Sequence, residues 1–122
     1  MTASREIELT LSAQEDIVNP LDWSAERFGP SFRRRYEALI EQALKDLREG
    51  PMLPGSRDRS ELGSGIRTLH LKLRRHRART SEGIVRAPRH MLVYERPSPT
   101  LVMVLRVLHD VMDIERRLPL ER

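Results

Sequence analysis

The N-terminal part of the chain alternates between apolar and polar residues and then changes to a helical period. The stretch EIELTL alternates as a strand with one buried face does. That face would consist of Ile7, Leu9 and Leu11. Ser12 and Glu15 follow in the spacing of a capping box, so we expect a first helix to start there. Pro20 lacks the amide that a helix interior needs, which predicts a kinked or broken helix ending at Gly29.

A second helix is predicted from Pro30 to Glu49. Its apolar residues form one continuous stripe, the pattern of a helix that packs one face against a core. The stripe contains Phe32, Tyr36, Leu39, Ile40, Ala43 and Leu47. Gly50 and Pro51 then follow in the order that commonly ends a helix.

The C-terminal half returns to the period of strands. Leu69, Leu71 and Leu73 are predicted to face a core from one strand, and residues 84–96 form a second strand region in which Pro88 indicates an edge or bulge. The five consecutive apolar residues 101–105 are typical of a central strand covered on both faces. A short last helix is predicted from the spacing of four residues. They are Val107, Val111, Ile114 and Leu118.

These elements predict an α+β fold. An N-terminal strand and a helical hairpin would pack on a small antiparallel sheet, and the length of 122 residues suits a single domain over residues 1–122. The absence of cysteine excludes disulfides and thiolate metal sites, and it fits a reducing cytoplasm. No stretch reaches the roughly 20 apolar residues of a membrane span. We find no nucleotide-binding glycine motif and no metal-spaced histidine cluster, so we expect no cofactor, no metal and no membrane contact.

Positive charge is concentrated in the middle of the chain. Residues 57–96 hold eleven Arg or Lys and four Asp or Glu, a local charge of +7, whereas the remainder carries −3. Such a block attracts polyanions or an acidic protein partner, although it can equally be a solvated arginine-rich face.

Four stretches of the sequence, taken in order, resemble toxins of the RelE/ParE superfamily from bacterial type II toxin–antitoxin modules. They are LDWSAERFGPSFRRRYEALIEQALKDLREGP, GIRTLHL, HMLVYE and LRVLHDVMDIERRL. The ParE-like branch fits best. This resemblance implies a helical hairpin on a small sheet and a toxin that inhibits DNA gyrase, and so replication, without chemistry of its own. It also implies a cognate ParD-like antitoxin that neutralises the toxin, with DNA contacted only through the antitoxin or the gyrase complex.

The alternative within the same superfamily is a RelE-like, ribosome-dependent mRNA endoribonuclease. Such an enzyme needs acid–base groups and cations around the scissile phosphate. The candidates are His109, Tyr94, Arg89 and Lys72. His109 lies in the ParE-like stretch VLHDVMD beside Asp110 and Asp113, which favours a structural hydrogen bond at the junction between the last strand and the last helix. We therefore favour a non-catalytic toxin.

A toxin of this kind must offer a groove to an amphipathic antitoxin helix. The resemblance and the basic block suggest two sets of contact residues. Antitoxin contacts would come from Trp23, Phe28 and Tyr36, with Arg33, Arg34 and Arg35 at the rim. Contacts to the target would come from Arg67, Lys72, Arg74, Arg75, Arg77 and Arg79. Phe28 and Tyr36 are also typical of ordinary core positions.

Overall fold

The computed structural model describes residues 5–110, apart from the side chains of Pro20 and of residues 22–25. Its α+β order confirms the predicted fold class. The regular elements are β1 (Glu6–Leu9), α1 (Leu11–Phe28), α2 (Pro30–Glu49), β2 (Arg57–Asp58), β3 (Arg67–His70), β4 (His90–Ser98) and β5 (Leu101–His109). Two 3₁₀ helices join them, Ser60–Leu62 and Leu71–Ala78. We call Leu71–Ala78 the basic 3₁₀ helix.

The five strands form one sheet in the order β1-β5-β4-β3-β2. The strands β2, β3, β4 and β5 pair with one another in antiparallel orientation, and the antiparallel pairing of β3, β4 and β5 was predicted. β1 runs parallel to β5 instead, with Glu6 opposite Leu101, so the sheet is mixed. Parallel neighbours need a long crossover connection, and all the other elements lie between β1 and β5 in the chain.

The start of α1 differs from the prediction. Thr10, not Ser12, caps the helix: its hydroxyl accepts a hydrogen bond from the amide of Ala13 at 3.0 Å and donates to the carbonyl of Leu105 at 2.7 Å. The chain therefore turns from β1 into α1 earlier than predicted. Leu11 becomes the first helical residue, 64% exposed, instead of part of a buried strand face.

Of the two predicted outcomes at Pro20, a kink or a break, the break is wrong, because α1 continues from Leu11 to Phe28. A proline removes one backbone hydrogen bond, and the remaining bonds of an 18-residue helix keep it continuous. The helix ends where predicted. Gly29 alone separates α1 from α2, at a φ of +90° that residues with a Cβ rarely adopt.

Three predictions for the C-terminal half were wrong. The strand region predicted over residues 84–96 begins only at His90, so Pro88 lies before β4 and not within it. β3 ends at His70, so Leu71 is buried in the basic 3₁₀ helix while Leu73 is 45% exposed. β5 continues to His109, so Val107 is a buried strand residue and not the first position of a helix. The remainder of the predicted last helix, with Val111, Ile114 and Leu118, lies outside the described residues.

Two apolar clusters lie on opposite faces of the sheet. The larger packs α1 and α2 against inward residues such as Leu92, Val102 and Val104. The smaller contains Val93 and Leu105 on the other face. β5 contributes to both clusters, which confirms the prediction of a central strand covered on both faces. Among the described residues, no helix is long and apolar enough to cross a membrane.

Candidate functional site

An open groove of ≈ 790 Å³ lies between the helical hairpin and the segment that precedes β4. Its lining combines apolar side chains with arginines and histidines. The lining residues are Phe28, Phe32, Arg35, Tyr36, Ile84, Val85, Arg86, Ala87, Arg89, His90 and His109. The groove thus offers an apolar floor with cationic groups around it.

The helical side of the groove is a row of three aromatic rings. Phe28, Phe32 and Tyr36 are spaced four residues apart, and the ring centroids of successive pairs are 5.2 and 6.0 Å from each other. Tyr36 is core, as the sequence indicates, with 8% of its surface exposed. Phe28 is not, because 60% of its surface is exposed at the lip of the groove. An exposed phenylalanine beside apolar neighbours is typical of a contact surface for another molecule.

The opposite side of the groove is held against α2 by Glu82. Its carboxylate lies 2.6 Å from the guanidinium of Arg34, and its backbone carbonyl accepts a hydrogen bond from Arg35 at 3.2 Å. The hydrogen bond from Arg34 holds the pKa of Glu82 below its usual range. Thr80 and Gly83 exchange two backbone hydrogen bonds, which closes the turn that presents residues 84–89 to the groove.

The three arginines at the start of α2 therefore have different roles. Arg33 forms an ion pair with Glu37 one turn along the helix. Arg34 anchors Glu82, while Arg35 lies over the ring of Phe32, 5.6 Å from its centroid, and lines the groove. Of the six predicted antitoxin contacts, Phe28, Tyr36 and Arg35 line the groove. The side chain of Trp23 lies outside the described part of the chain.

Three histidines that are scattered in the sequence lie together at one end of the sheet. His70 ends β3, His90 begins β4 opposite His109, and His109 ends β5. The rings of His90 and His109 meet edge to face, 5.3 Å apart. The hydroxyl of Tyr36 is hydrogen-bonded to Nδ1 of His90. Burial, reinforced by His109, lowers the pKa of His90 to about 4, so its ring is neutral at neutral pH.

Asp110 joins this cluster immediately after β5. Its carboxylate receives hydrogen bonds from Nε and from one terminal nitrogen of Arg89, the shortest from each at 3.0 Å, and one at 3.0 Å from Nε2 of His70. Because Nδ1 of His70 accepts from the amide of Lys72, its Nε2 carries the proton. Hydrogen bonds from Arg89 and His70 hold the pKa of Asp110 far below its usual range. His109 Nδ1 lies 3.5 Å from the same carboxylate.

The sequence did not predict this cluster, because the predicted strand regions placed His70 and His90 inside strands. In the structure β3 ends at His70 and β4 begins at His90, and antiparallel pairing brings these ends together.

The structure also separates the four candidate catalytic residues. His109 and Arg89 share the groove, whereas Lys72 lines another cleft with His70. Tyr94 is 1% exposed, and its hydroxyl donates to the carbonyl of Pro51. No three His, Cys, Asp or Glu side chains within residues 5–110 are arranged so that they could hold a metal ion.

Four of the six predicted target contacts are engaged within the protein. Arg67 donates to Ser56, at 2.7 Å to its hydroxyl, and both Arg74 and Arg77 bind Asp46. Arg75 donates to the ring of His76 at 3.4 Å. Lys72 and Arg79 lie on or beside the basic 3₁₀ helix and are exposed.

The fold and the groove together define the class of protein. It is a small α+β protein with one helical hairpin on a mixed sheet and an open apolar surface beside the hairpin. Comparison with known proteins then gives the family. The sequence model described as ParE toxin of type II toxin-antitoxin system, parDE, matches residues 7–114. The chain belongs to this ParE toxin family.

A solved structure titled "Chromosomal ParDE TA system from P. aeruginosa" has the same fold. The two chains superpose with a TM-score of 0.61 at 16% sequence identity, over 87% of this chain and 96% of that chain. No curated protein matches the sequence.

Proposed function

We propose that this chain is the toxin of a ParDE-like module, that it acts in the cytoplasm by inhibiting DNA gyrase, and that a ParD-like antitoxin neutralises it. Membership of the ParE toxin family supports the toxin role. The relative from P. aeruginosa belongs to a ParDE system, which supports a partner of the antitoxin type. Inhibition of gyrase is the role that the ParE resemblance implies.

The open groove is the structural feature that supports an antitoxin as the partner of this chain. An amphipathic helix places apolar side chains into an apolar groove and polar side chains at its edges. Phe28 and Phe32 offer the apolar surface, and Arg35, Arg86 and Arg89 surround it. Acidic residues flanking the apolar anchors of the antitoxin would face these arginines, which favours fast and specific association.

Supercoiling by purified gyrase tests the target. Addition of the purified chain should stop supercoiling and leave linear, cleaved plasmid when the gyrase–DNA complex is denatured. Addition of the antitoxin beforehand should restore supercoiling. Unchanged supercoiling at a large excess of folded chain would contradict gyrase as the target.

Growth tests the toxin role without reference to the target. Cells that express the chain alone should lose viability, and cells that also express the neighbouring antitoxin gene should grow normally. The two results separate the parts of the proposal: a toxic chain that leaves gyrase unaffected keeps the toxin role and loses the target.

A ribonuclease is the second candidate, and the histidine cluster is the observation that favours it. His70 and His109 share the carboxylate of Asp110, and Arg89 places a cation beside them. Two histidines and an arginine could in principle move protons and stabilise a pentavalent phosphate. The burial of Tyr94 and the separate position of Lys72 weaken this reading. Primer extension on translated mRNA tests it, because codon-specific cuts appear only if the chain is a nuclease.

A further inference from the structure

A second surface of the molecule concentrates arginines from three separate segments of the chain. It is a cleft of ≈ 490 Å³ at the far end of α2, bordered by residues 49–53 and by the basic 3₁₀ helix. Its cationic side chains are Arg5, Arg74, Arg77 and Arg96. We call it the arginine cleft. It shares no lining residue with the groove.

The acidic groups in the arginine cleft do not balance its cations. Asp46 and Glu49 are the two carboxylates among the lining residues, which leaves an excess of two positive charges. Asp46 is already engaged by Arg74 and Arg77, at 3.4 and 3.1 Å. Burial alone would raise the pKa of Asp46, but hydrogen bonds from Arg77 and Gln42 lower it, so this carboxylate stays charged.

Two arginine donors at the cleft lack an acceptor within the protein. Nε of Arg5 and Nε of Arg74 are both buried and make no hydrogen bond. Arg5 donates through one terminal nitrogen to the carbonyl of Glu49, and Arg74 donates to the carbonyl of Pro54. Buried charged donors are normally satisfied, so two unpaired Nε groups beside one cleft indicate that the guanidinium groups there have donor capacity that the fold does not use.

We propose that the arginine cleft binds a phosphate group. A phosphoryl group carries up to two negative charges and several acceptor oxygens, which match two excess cations and several arginine forks. A carboxylate would supply one charge and two oxygens. The volume of the cleft exceeds that of inorganic phosphate, so the phosphate would belong to a larger species, either a free polyphosphate compound or the end of a nucleic-acid strand.

Titration of the purified chain with inorganic pyrophosphate tests this proposal, with calorimetry and thermal melting as readouts. We expect saturable binding and a rise of several degrees in the melting temperature at about 10 mM pyrophosphate. The same titrations with succinate compare a dicarboxylate. Oligonucleotides with and without a 5′-phosphate then distinguish the two sources of the phosphate, and tighter binding of the phosphorylated strand would identify the nucleic acid.

Two variants and a matched control localise the site. Arg96→Gln and Arg5→Gln should each weaken pyrophosphate binding roughly tenfold, as expected for a lost hydrogen bond to a charged group. Arg57→Gln removes the same charge from the exposed strand β2, outside the cleft, and should change the affinity less than about twofold. Arg96 is exposed, so its replacement tests the site without risk to the core.

Three results would overturn the proposal. They are the absence of saturable pyrophosphate binding, equal weakening by Arg57→Gln and Arg96→Gln, and binding of succinate as tight as that of pyrophosphate. Equal weakening would mean that the anion responds only to the net charge of the chain. Tight succinate binding would assign the cleft to carboxylates.

Discussion

Arginines near the two ends of α2 have opposite roles. At the N-terminal end, Arg35 stands beside exposed aromatic surface in the groove. At the C-terminal end, Arg74 and Arg77 are drawn onto the buried carboxylate of Asp46. The sequence analysis predicted both sets as contacts to another molecule, Arg35 to the antitoxin and Arg74 and Arg77 to the target. The partner of each arginine, and not the local charge, determines whether it supports the fold or faces another molecule.

The two ends of α2 also differ in what they contribute: the C-terminal end stabilises the fold, and the N-terminal end forms a surface for recognition. Asp46 ties the basic 3₁₀ helix to α2, so the conformation of residues 71–78 depends on one carboxylate. At the groove, the ion pair between Glu82 and Arg34 is partly exposed, and Phe28 projects from the end of α1 with most of its surface exposed. Changes at the Asp46 end should therefore affect folding, and changes at the groove should affect binding.

Asp46→Ala should produce the largest loss of stability. Its side chain is only 5% exposed, and removal leaves two guanidinium groups without their counter-ion. The expected cost is roughly 3 kcal/mol in the free energy of unfolding. Urea denaturation measures it. Asp58→Ala, on an exposed carboxylate that accepts from Ser60, is the matched control and should cost much less than Asp46→Ala. Similar losses in both variants would contradict the structural role of Asp46.

Phe28→Ala should weaken antitoxin binding while leaving the fold nearly unchanged. A large aromatic residue that becomes buried in an interface commonly contributes about 2 kcal/mol or more, which corresponds to roughly a 30-fold rise in the dissociation constant. Leu11→Ala is the control, because Leu11 is similarly exposed, at 64%, and does not line the groove. Calorimetric titration of both variants with the antitoxin gives the comparison. Equal affinities for the two variants would remove Phe28 from the interface.

The buried histidine of the groove should make stability depend on pH. The pKa of His90 falls from 6.5 to about 4 on folding, so the unfolded chain binds more protons between these values. Stability contributed by neutral His90 is therefore present above pH 6.5 and is lost as the pH falls towards 4. We expect a loss of about 2 kcal/mol after solvent screening.

His90→Gln should flatten this part of the pH profile of unfolding free energy, whereas the exposed His76→Gln should keep it. The lowered pKa values of Asp110 and Asp46 act in a separate window, since their contributions disappear only as the pH falls below the usual carboxyl range of about 4. A slope between pH 6.5 and 4 that survives His90→Gln would assign it to another group.

His109→Ala should have the smallest effect. The ring is about one-third exposed and lies 3.5 Å from the Asp110 carboxylate, so we expect a loss of about 1 kcal/mol in stability. Toxicity per folded molecule should stay unchanged. If the chain were a nuclease using His109 as an acid or base, activity would fall by roughly two to four orders of magnitude with little change in stability. Melting curves and growth assays on the same variant distinguish these outcomes.

Periodic elements could be predicted from the sequence, and contacts between distant residues could not. The stripe in α2 and the apolar run in β5 were predicted correctly, because local period and glycine position determine them. The prediction of a strand through Leu71 and Leu73 was wrong because Asp46, some thirty residues away, binds Arg74 and Arg77. These contacts stabilise the segment as a 3₁₀ helix. Alternation alone carries no information about such an ion pair.

The candidate site was predictable only in part for the same reason. Phe28, Tyr36 and Arg35 were proposed from their place in the helical hairpin, and they line the groove. Its other wall, residues 84–89, was not proposed, since its position depends on Glu82 binding Arg34 across 48 positions of sequence. The histidine cluster depends on strand register, which a single sequence does not specify.

Amide hydrogen exchange of the chain, alone and in complex with its antitoxin, tests the contrast between the two regions most directly. We expect the antitoxin to slow amide exchange at the start of α2 and in residues 84–89. The basic 3₁₀ helix, Leu71–Ala78, should exchange at the same rate in the free chain and in the complex. Protection confined to the basic 3₁₀ helix, with the groove unchanged, would contradict the assignment of the groove to the antitoxin.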